Sequence, residues 1–483
     1  MPKKLLALCL VFIFTITLHS QNNQQKTNSQ WLIKNTNVVD VLSGKILKNR
    51  NILIESNKII AISKKNKNYD NVPASNQIDA SNKYVIPGLW DNHIHIEGEN
   101  LVEDNLALFP VYLAYGITTV RDCASDLGEK VLSWRDQINS GSLLGPTIFT
   151  AGRKLEGINS IWKGDLEISN ESELHLMLDK LDNYKVDFIK ITESTLDGSL
   201  YTKSVLAAHN RGYLVSGHIP SNVSIETLID NGLSSIEHAS YVLRLGSDEN
   251  EIISKLNSKE ITKSQAEQLY YKNFNQEKAI SNYKKLAKKG MTVTPTLIGG
   301  KQLAYLDEND HKNDAYLQYL TKRFTDNYQW RIGRMAGETA EQKQQKKDKY
   351  KRIAQQVPLM QKAGVTILAG SDSAALNTFV YPAAALTEEL ELFQNAGMQP
   401  KDILKTATIN GAKFLKKSDT MGSVNEGKIA DLVILNENPL IDIRAVNKVY
   451  GVFTKGQYFD RENLNNMLEI AKNKKIELDE KRK

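Results

Sequence analysis

The chain has 483 residues, 62 basic against 56 acidic, a net charge of +6 and a hydrophobic share of 41%. That length and composition support one large core and a smaller one. No basic stripe is interleaved with aromatics, which argues against a nucleic-acid partner.

Lys3-Lys4 precede an apolar run over residues 5–18, and His19-Ser20-Gln21 follow. A charged start, a short hydrophobic run and a small residue at a cleavage point predict a signal peptide over residues 1–20. The protein is then exported, to a periplasm or outside the cell. The run is short for a bilayer, so no stable membrane span is expected, an uncleaved anchor being the alternative. Of the two cysteines, Cys9 lies in this leader. A processed chain keeps only Cys123, so no internal disulfide forms, and that thiol is expected to pack in a core.

After a polar spacer, residues 31–41 and 51–62 alternate apolar and polar side chains, with turns at Ser43-Gly44 and Ser56-Asn57. They read as short antiparallel strands. Pro87-Gly88 breaks that pattern, and the stretch through His93-Ile-His95 opens a new one. A helix over residues 101–115 stops at Gly116. A second strand at 117–120 runs into Arg121-Asp122, and a third covers 147–151. After an amphipathic helix at 171–181 come strands at 187–192, 213–218, 235–238, 291–295 and 365–369, the last followed by Asp372. Eight strand–helix units in a row predict an α/β fold, a parallel (β/α)8 TIM barrel.

Residues 241–290 and 299–364 are too long for plain connections and read as helical insertions. The first reading is solvated helices that extend the outer ring. The second is a cover over the barrel mouth, with Tyr328, Trp330 and Arg331 in its wall. A helix over 400–416 follows, and residues 422–435 and 448–458 return to turns and strands. The predicted organisation is a β-sandwich built from residues 21–86 and 421–460, a barrel domain over 87–420, and a charged helix or tail over 461–483.

Side chains alternate along a strand, so His93 and His95 share a face. Two imidazoles so placed can ligate one divalent ion. His218 ends the fifth strand and His238 the sixth, and Asp372 follows the eighth. In such barrels functional side chains come from these strand ends. His175, His209 and His311 fall instead in helices or insertions. Lys190 faces inward on the fourth strand beside Phe188 and Thr192, a costly place for an ammonium without a partner. A buried Lys–carboxylate pair is the simple reading. A neutral lysine can instead react with carbon dioxide to give a carbamate, a two-oxygen anion able to bridge two ions.

These residues carry a resemblance. The chain resembles the amidohydrolase superfamily of metal-dependent hydrolases, notably its imidazolonepropionase-like and prolidase-like branch. The shared motifs run from Val85-Ile-Pro-Gly88 to His93-Ile-His95, then Gly116-Ile-Thr-Thr-Val-Arg-Asp122, Asp187-Phe-Ile-Lys190, Ser216-Gly-His218-Ile-Pro220 and Ser235-Ile-Glu-His238. They continue in Ala369-Gly-Ser-Asp372, Ala407-Thr-Ile-Asn410, the stretch from Gly422 to Val433, and Asn438-Pro439-Leu440. The likeness covers about residues 31–468.

The resemblance implies that His93 and His95 hold a buried metal and that carbamylated Lys190 bridges to a second one held by His218 and His238. Asp372 would bind the first metal and shuttle the proton. Zn2+ suits these donors, two ions per chain or one in members lacking the bridge, with Mn2+, Ni2+ or Fe2+ admissible. The implied activity is hydrolysis of a C–N bond in a small amide, a dipeptide, N-acyl amino acid or cyclic amide. Ring deamination, or ester or lactone hydrolysis, is the alternative on the same site. A non-catalytic metal- or solute-binding protein is a third reading, for which Asp372 has no use. Homo-oligomerisation is compatible with the resemblance. Arg121, Arg153 and Tyr241 fall near the expected mouth as candidates for holding a substrate carboxylate, although Arg121 could simply pair with Asp122. Relatives often carry a histidine before the Glu-Leu pair; the stretch 386–390 has none.

Overall fold

In a computed structural model, residues 30–64, 69 and 71–482 are described; the expected leader lies outside them. In chain order the strands are β1 (Gln30–Asp40), β2 (Lys45–Glu55), β3 (Lys58–Ser63), β4 (Gln77–Asp79), β5 (Tyr84–Pro87), β6 (Leu89–Ile94), β7 (Ile117–Asp122) and β8 (Thr147–Thr150). Then come β9 (Leu155–Gly157), β10 (Leu166–Ile168), β11 (Ile189–Ile191), β12 (Val215–Gly217), β13 (Leu233–Glu237), β14 (Thr292–Thr294) and β15 (Thr366–Ile367). The last three are β16 (Leu432–Leu435), β17 (Val449–Thr454) and β18 (Gln457–Asp460).

Strands from both ends of the chain build one mixed sheet in the order β18-β17-β16-β5-β1-β2-β3, with β4 beside β1. The antiparallel pairing expected for residues 31–41 and 51–62 is formed by β1 with β2 and β2 with β3, while β4 and β5 run parallel to β1. The intervening segment after β3 is long enough to return the chain in the same direction. Period-two alternation gives the sheet two apolar faces. Leu432 and Ile434 join a small core with Ile33, Ile52, Val85 and Phe453. Their neighbours Val433 and Leu435 join the main core with Ile86 and Val452. The chain leaves this sheet at Gly88, where an added Cβ would meet Thr118 Oγ1 at 2.0 Å.

The central segment is parallel throughout. β6, β7 and β8 form one sheet, and β9, β11, β12, β13, β14 and β15 a second, with β10 beside β9. Backbone bonds cross both edges between them. Asp187 N donates to Thr150 O beside β8. At the other edge Asn92 N donates to Ala369 O, Asp372 N to His93 O and His95 N to Ser373 O. One face of these strands supplies Ile189, Ile191, Val215, Ile236, Val293 and Ile367 to the main core. The alternate residues Lys190, Ser216, Glu237 and Thr294 are buried and polar, so the enclosed face is built for chemistry rather than for apolar packing.

Two elements differ from expectation. The helix expected over 400–416 is two, Pro400–Thr406 and Ile409–Phe414. The carbonyls of Thr406 and Ala407 accept from Ala369 N and Trp90 N, which pulls them out of the helical ladder. The strands β9 and β10 lie in a stretch for which no strand was expected. The insertions are helical, ending in the long helix Ala340–Lys362. The C-terminal helix Arg461–Lys481 starts with a capping box on Asp460 and buries Leu464, Met467, Ala471 and Leu478. It packs along the helix Val102–Ala114, and Arg482 closes on Asp104 at 2.9 Å. Among the described residues no helix is long and apolar enough to cross a membrane.

Candidate metal centre

Four histidine rings and one carboxylate converge at the C-terminal ends of the parallel strands. His93 Nε2 lies 3.3 Å from His95 Nε2, and His218 Nε2 lies 3.0 Å from His238 Nε2. One oxygen of Asp372 is 3.3 Å from both His93 Nε2 and His95 Nε2. Ligand atoms of His93, His238 and Asp372 all lie within 4.8 Å of one another.

The other nitrogen of each ring fixes its tautomer. His93 Nδ1 meets Glu237 Oε2 at 2.7 Å, His95 Nδ1 the Ala124 carbonyl at 2.9 Å and His218 Nδ1 Glu193 Oε2 at 2.9 Å. The carboxylates and the carbonyl only accept, so these three Nδ1 atoms carry the hydrogen. His238 Nδ1 meets the Thr296 hydroxyl at 2.7 Å, a partner that allows the same tautomer. The Nε2 atoms of His93 and His95 face one another and Asp372. Those of His218 and His238 face one another, and His238 Nδ1 lies 3.9 Å from Asp372. Histidines that ligate a metal are held in this way, with the second nitrogen donating outward. The donor set of imidazole nitrogens and a carboxylate fits a divalent cation of the Zn2+ type.

Charge agrees with that reading at His93, whereas at His95 burial is outweighed by the Asp372 hydrogen bond and the pKa is raised; backbone strain agrees at His238 and Asp372. Burial, then the Lys190 ammonium, pushes His93 down to about 4, so its ring is in the neutral, ligating form. Burial opposes ionisation of Asp372, but His238, His93 and His95 hold its carboxyl well below the usual range. His238 and Asp372 have φ of 75° and 59°, backbone conformations that side chains with a Cβ rarely adopt and that collect at functional sites.

Lys190 lies at the floor of this cluster, 1% exposed. Its Nζ has no hydrogen-bond partner, and burial lowers its pKa. The Lys–carboxylate pair that was the simple reading is not formed among the described residues. An orphaned, deprotonation-prone amine beside four imidazoles is what a carbamate ligand starts from.

The three candidates for substrate binding are placed otherwise. Arg121 is buried beneath the cluster, not at the mouth. It donates to Glu237 at 2.8 and 2.9 Å, to Ser216 Oγ at 2.9 Å and to Thr294 Oγ1 at 3.1 Å. It therefore braces Glu237 rather than touching a substrate, and its partner is Glu237 rather than Asp122. Inward alternation gave its face but not its depth along the strand. Arg153 turns to Gly164 O and Glu129. Tyr241 stacks near His218 at 5.8 Å, with its hydroxyl donating to Glu193 Oε1 at 2.8 Å.

The sequence reading missed Glu237 and Glu193. Glu237 is an acid inside a strand between Ile236 and His238, the same signal that singled out Lys190. Burial acts to raise it, but Arg121 and His93 hold it well below the ordinary range. Glu193 lies two residues past the end of β11 and is lowered to about 2, burial being outweighed by His218. Cys123 is a buried packing thiol whose pKa burial pushes up.

Residues 84–458 match the model of the Amidohydrolase family, and the chain belongs to that family. A Xaa-Pro dipeptidase crystallised with methionine in its active site superposes with a TM-score of 0.65 at 21% identity, covering 89% of this chain and all of that one. Adenine deaminase of Lysinibacillus sphaericus is 33% identical over 105 residues, 22% of this chain and 17% of its own length. Imidazolonepropionase of Fusobacterium nucleatum is 37% identical over 67 residues, 13% of this chain and 16% of its own. The matched stretches thus span less than a fifth of either relative.

Proposed function

We propose that this protein is a metal-dependent hydrolase that opens the C–N bond of a small amide. The carrying observation is the convergence of four histidine Nε2 atoms in two facing pairs beside Asp372, with each Nδ1 hydrogen-bonded to a partner outside the cluster. His93, His95 and Asp372 would hold one divalent ion, and His218 and His238 a second, with carbamylated Lys190 between. When bound, such ions supply an acidified water and an electrophile for the carbonyl oxygen. Asp372, beside His93 and His95 at 3.3 Å, is placed to take a proton and return it to the leaving nitrogen. Glu237 and Glu193 hold the rings of His93 and His218, and Arg121 holds Glu237.

The scaffold in this proposal is a (β/α)8 barrel. Its strands are β6, β7, β8 and β11 to β15, and the bonds at Thr150–Asp187 and Asn92–Ala369 support closure. The flanking sheet, with its own apolar core, serves as the sandwich-like domain. Export rests on Lys3-Lys4 and the apolar run at residues 5–18.

Turnover of N-acyl amino acids, dipeptides and cyclic amides by metal-reconstituted protein tests the activity. Ring deamination is the second reading, favoured by the local similarity to adenine deaminase. Ammonia released from adenine, with every amide left intact, would select it.

A further inference from the structure

Two cavities meet at the metal centre. The larger, about 670 Å3, is bordered by His95, Lys190, His218, Trp162 and Trp330. The smaller, about 380 Å3, has apolar walls of Leu297, Leu303, Ala304, Ile353 and Val380. His238, Asp372, Asn377 and Arg331 border both. A bond cleaved at Asp372 can therefore carry a substituent into each cavity.

Arg331 comes from the second insertion, on the short helix Gln329–Met335. Its Nε donates to Leu376 O at 3.0 Å and its Nη2 to Asn377 Oδ1 at 2.5 Å. Asn377 in turn donates to the Asp372 carbonyl at 2.6 Å, so the guanidinium is registered to the proposed proton shuttle. Trp330 donates to the same Leu376 carbonyl at 3.3 Å and meets Trp162 edge-on at 5.8 Å, which seats the helix on the mouth.

What Arg331 lacks is a counter-ion. Arg121 has Glu237 at 2.8 Å and Lys154 has Asp165 at 2.7 Å, whereas Arg331 forms no ion pair among the described residues. The carboxylates of Asp372 and Glu97 act on it only from farther away, and burial lowers its pKa. A half-buried cation without a partner is costly. Arg331 lines both cavities, and a planar guanidinium is shaped for a carboxylate. The smaller cavity also has Lys346 and Lys349 in its lining, but these are paired with Glu338 and Glu267, so among the described residues Arg331 is its unpaired cation.

We propose that Arg331 is the specificity-determining anchor for a substrate carboxylate, and that the leaving half is an apolar amino acid lodged in the smaller cavity. The acyl half then occupies the larger one. The inference rests on the hydrolase reading above and narrows its substrate to amides bearing a carboxylate next to the scissile nitrogen.

The test compares N-acetyl-L-leucine with N-acetyl-L-leucinamide on metal-reconstituted wild type, Arg331→Met and Arg331→Lys. Losing a charged hydrogen-bonding pair should cost the carboxamide about 10- to 100-fold in kcat/KM on the wild type. That preference should collapse in Arg331→Met and return in part in Arg331→Lys. A ratio within one preparation does not depend on how much of a variant folds. Calorimetric titration of both compounds into metal-loaded Asp372→Asn, with and without Arg331→Met, reads the same preference in binding alone. If nothing is hydrolysed but the Arg331-dependent preference persists in binding, the hydrolase reading fails and the anchor stands. Equal handling of acid and amide by the wild type, or equal losses on both in Arg331→Met, would overturn the anchor.

Discussion

Arg121 and Arg331 stand on opposite sides of one cluster and are held in opposite ways. Below, Arg121 spends its donors on Glu237, Ser216, Thr294 and the Asn92 carbonyl, and Glu237 passes that support to His93. Above, Arg331 is fixed by a carbonyl and an amide and lines both cavities. A buried ion pair with every donor satisfied serves geometry. A half-buried cation without one is open to a ligand. On the proposed function, the strand ends hold the chemistry and an insertion between strands faces the substrate.

The sharpest break between metal holding and proton transfer is Asp372→Asn. It should keep most of its metal, since the imidazoles remain, and lose about 10²- to 10⁴-fold in kcat; metal analysis beside steady-state rates checks both. Undiminished turnover would remove Asp372 from the mechanism. Next, Arg121→Met leaves Glu237 charged and unpaired in the floor and should cost about 3–5 kcal/mol of stability. Arg331→Met, at the rim, should stay within about 1 kcal/mol. Urea unfolding of both variants measures the contrast, and equal losses would dissolve it.

A smaller effect is expected at Glu193→Gln, which weakens the orientation of His218. Metal affinity should fall about 10- to 100-fold, read by competition with a chelator, while the fold is retained. An unchanged affinity would make Glu193 a partner of Tyr241 only.

The smallest concerns Glu389, whose carboxyl accepts from Leu297 N and Ile298 N at 2.8 Å each. Burial pushes it up to about 8 despite those bonds, so the fold favours the protonated form. That contribution is complete below about pH 4.5, the unfolded range, and is lost as pH rises through 8. Glu389→Gln should flatten the decline in melting temperature across that window. A decline as steep as in the wild type would assign it to other groups.

Much of the core site was legible because its signals are local. His93-Ile-His95 shows its shared face in three residues, and Lys190 and the terminal histidines sit where an apolar strand has no reason to be polar. The motif residues of β7 and β13 also carried Arg121 and Glu237, but alternation does not tell which end of the strand a long side chain reaches. The outer partners were harder still. Thr296 lies 58 positions from His238, and no pattern in either segment announces that bond. Arg331 could be singled out as a wall residue, yet its want of a counter-ion is a three-dimensional fact. The missing histidine before Glu389 has a structural counterpart, since that acid binds the start of the helix Leu297–Ala304. The split of the helix at Ala407 depends on backbone groups of distant strands, invisible to local propensity.

Four imidazoles and Asp372 gather around Lys190, and metal content tests most directly whether they hold cations there. Protein purified with Zn2+ and bicarbonate should hold close to two ions per chain. Lys190→Ala, or loading without carbon dioxide, should reduce that to one or fewer. Protein that binds no divalent metal tightly, or holds a single ion regardless of bicarbonate and Lys190, would contradict the account.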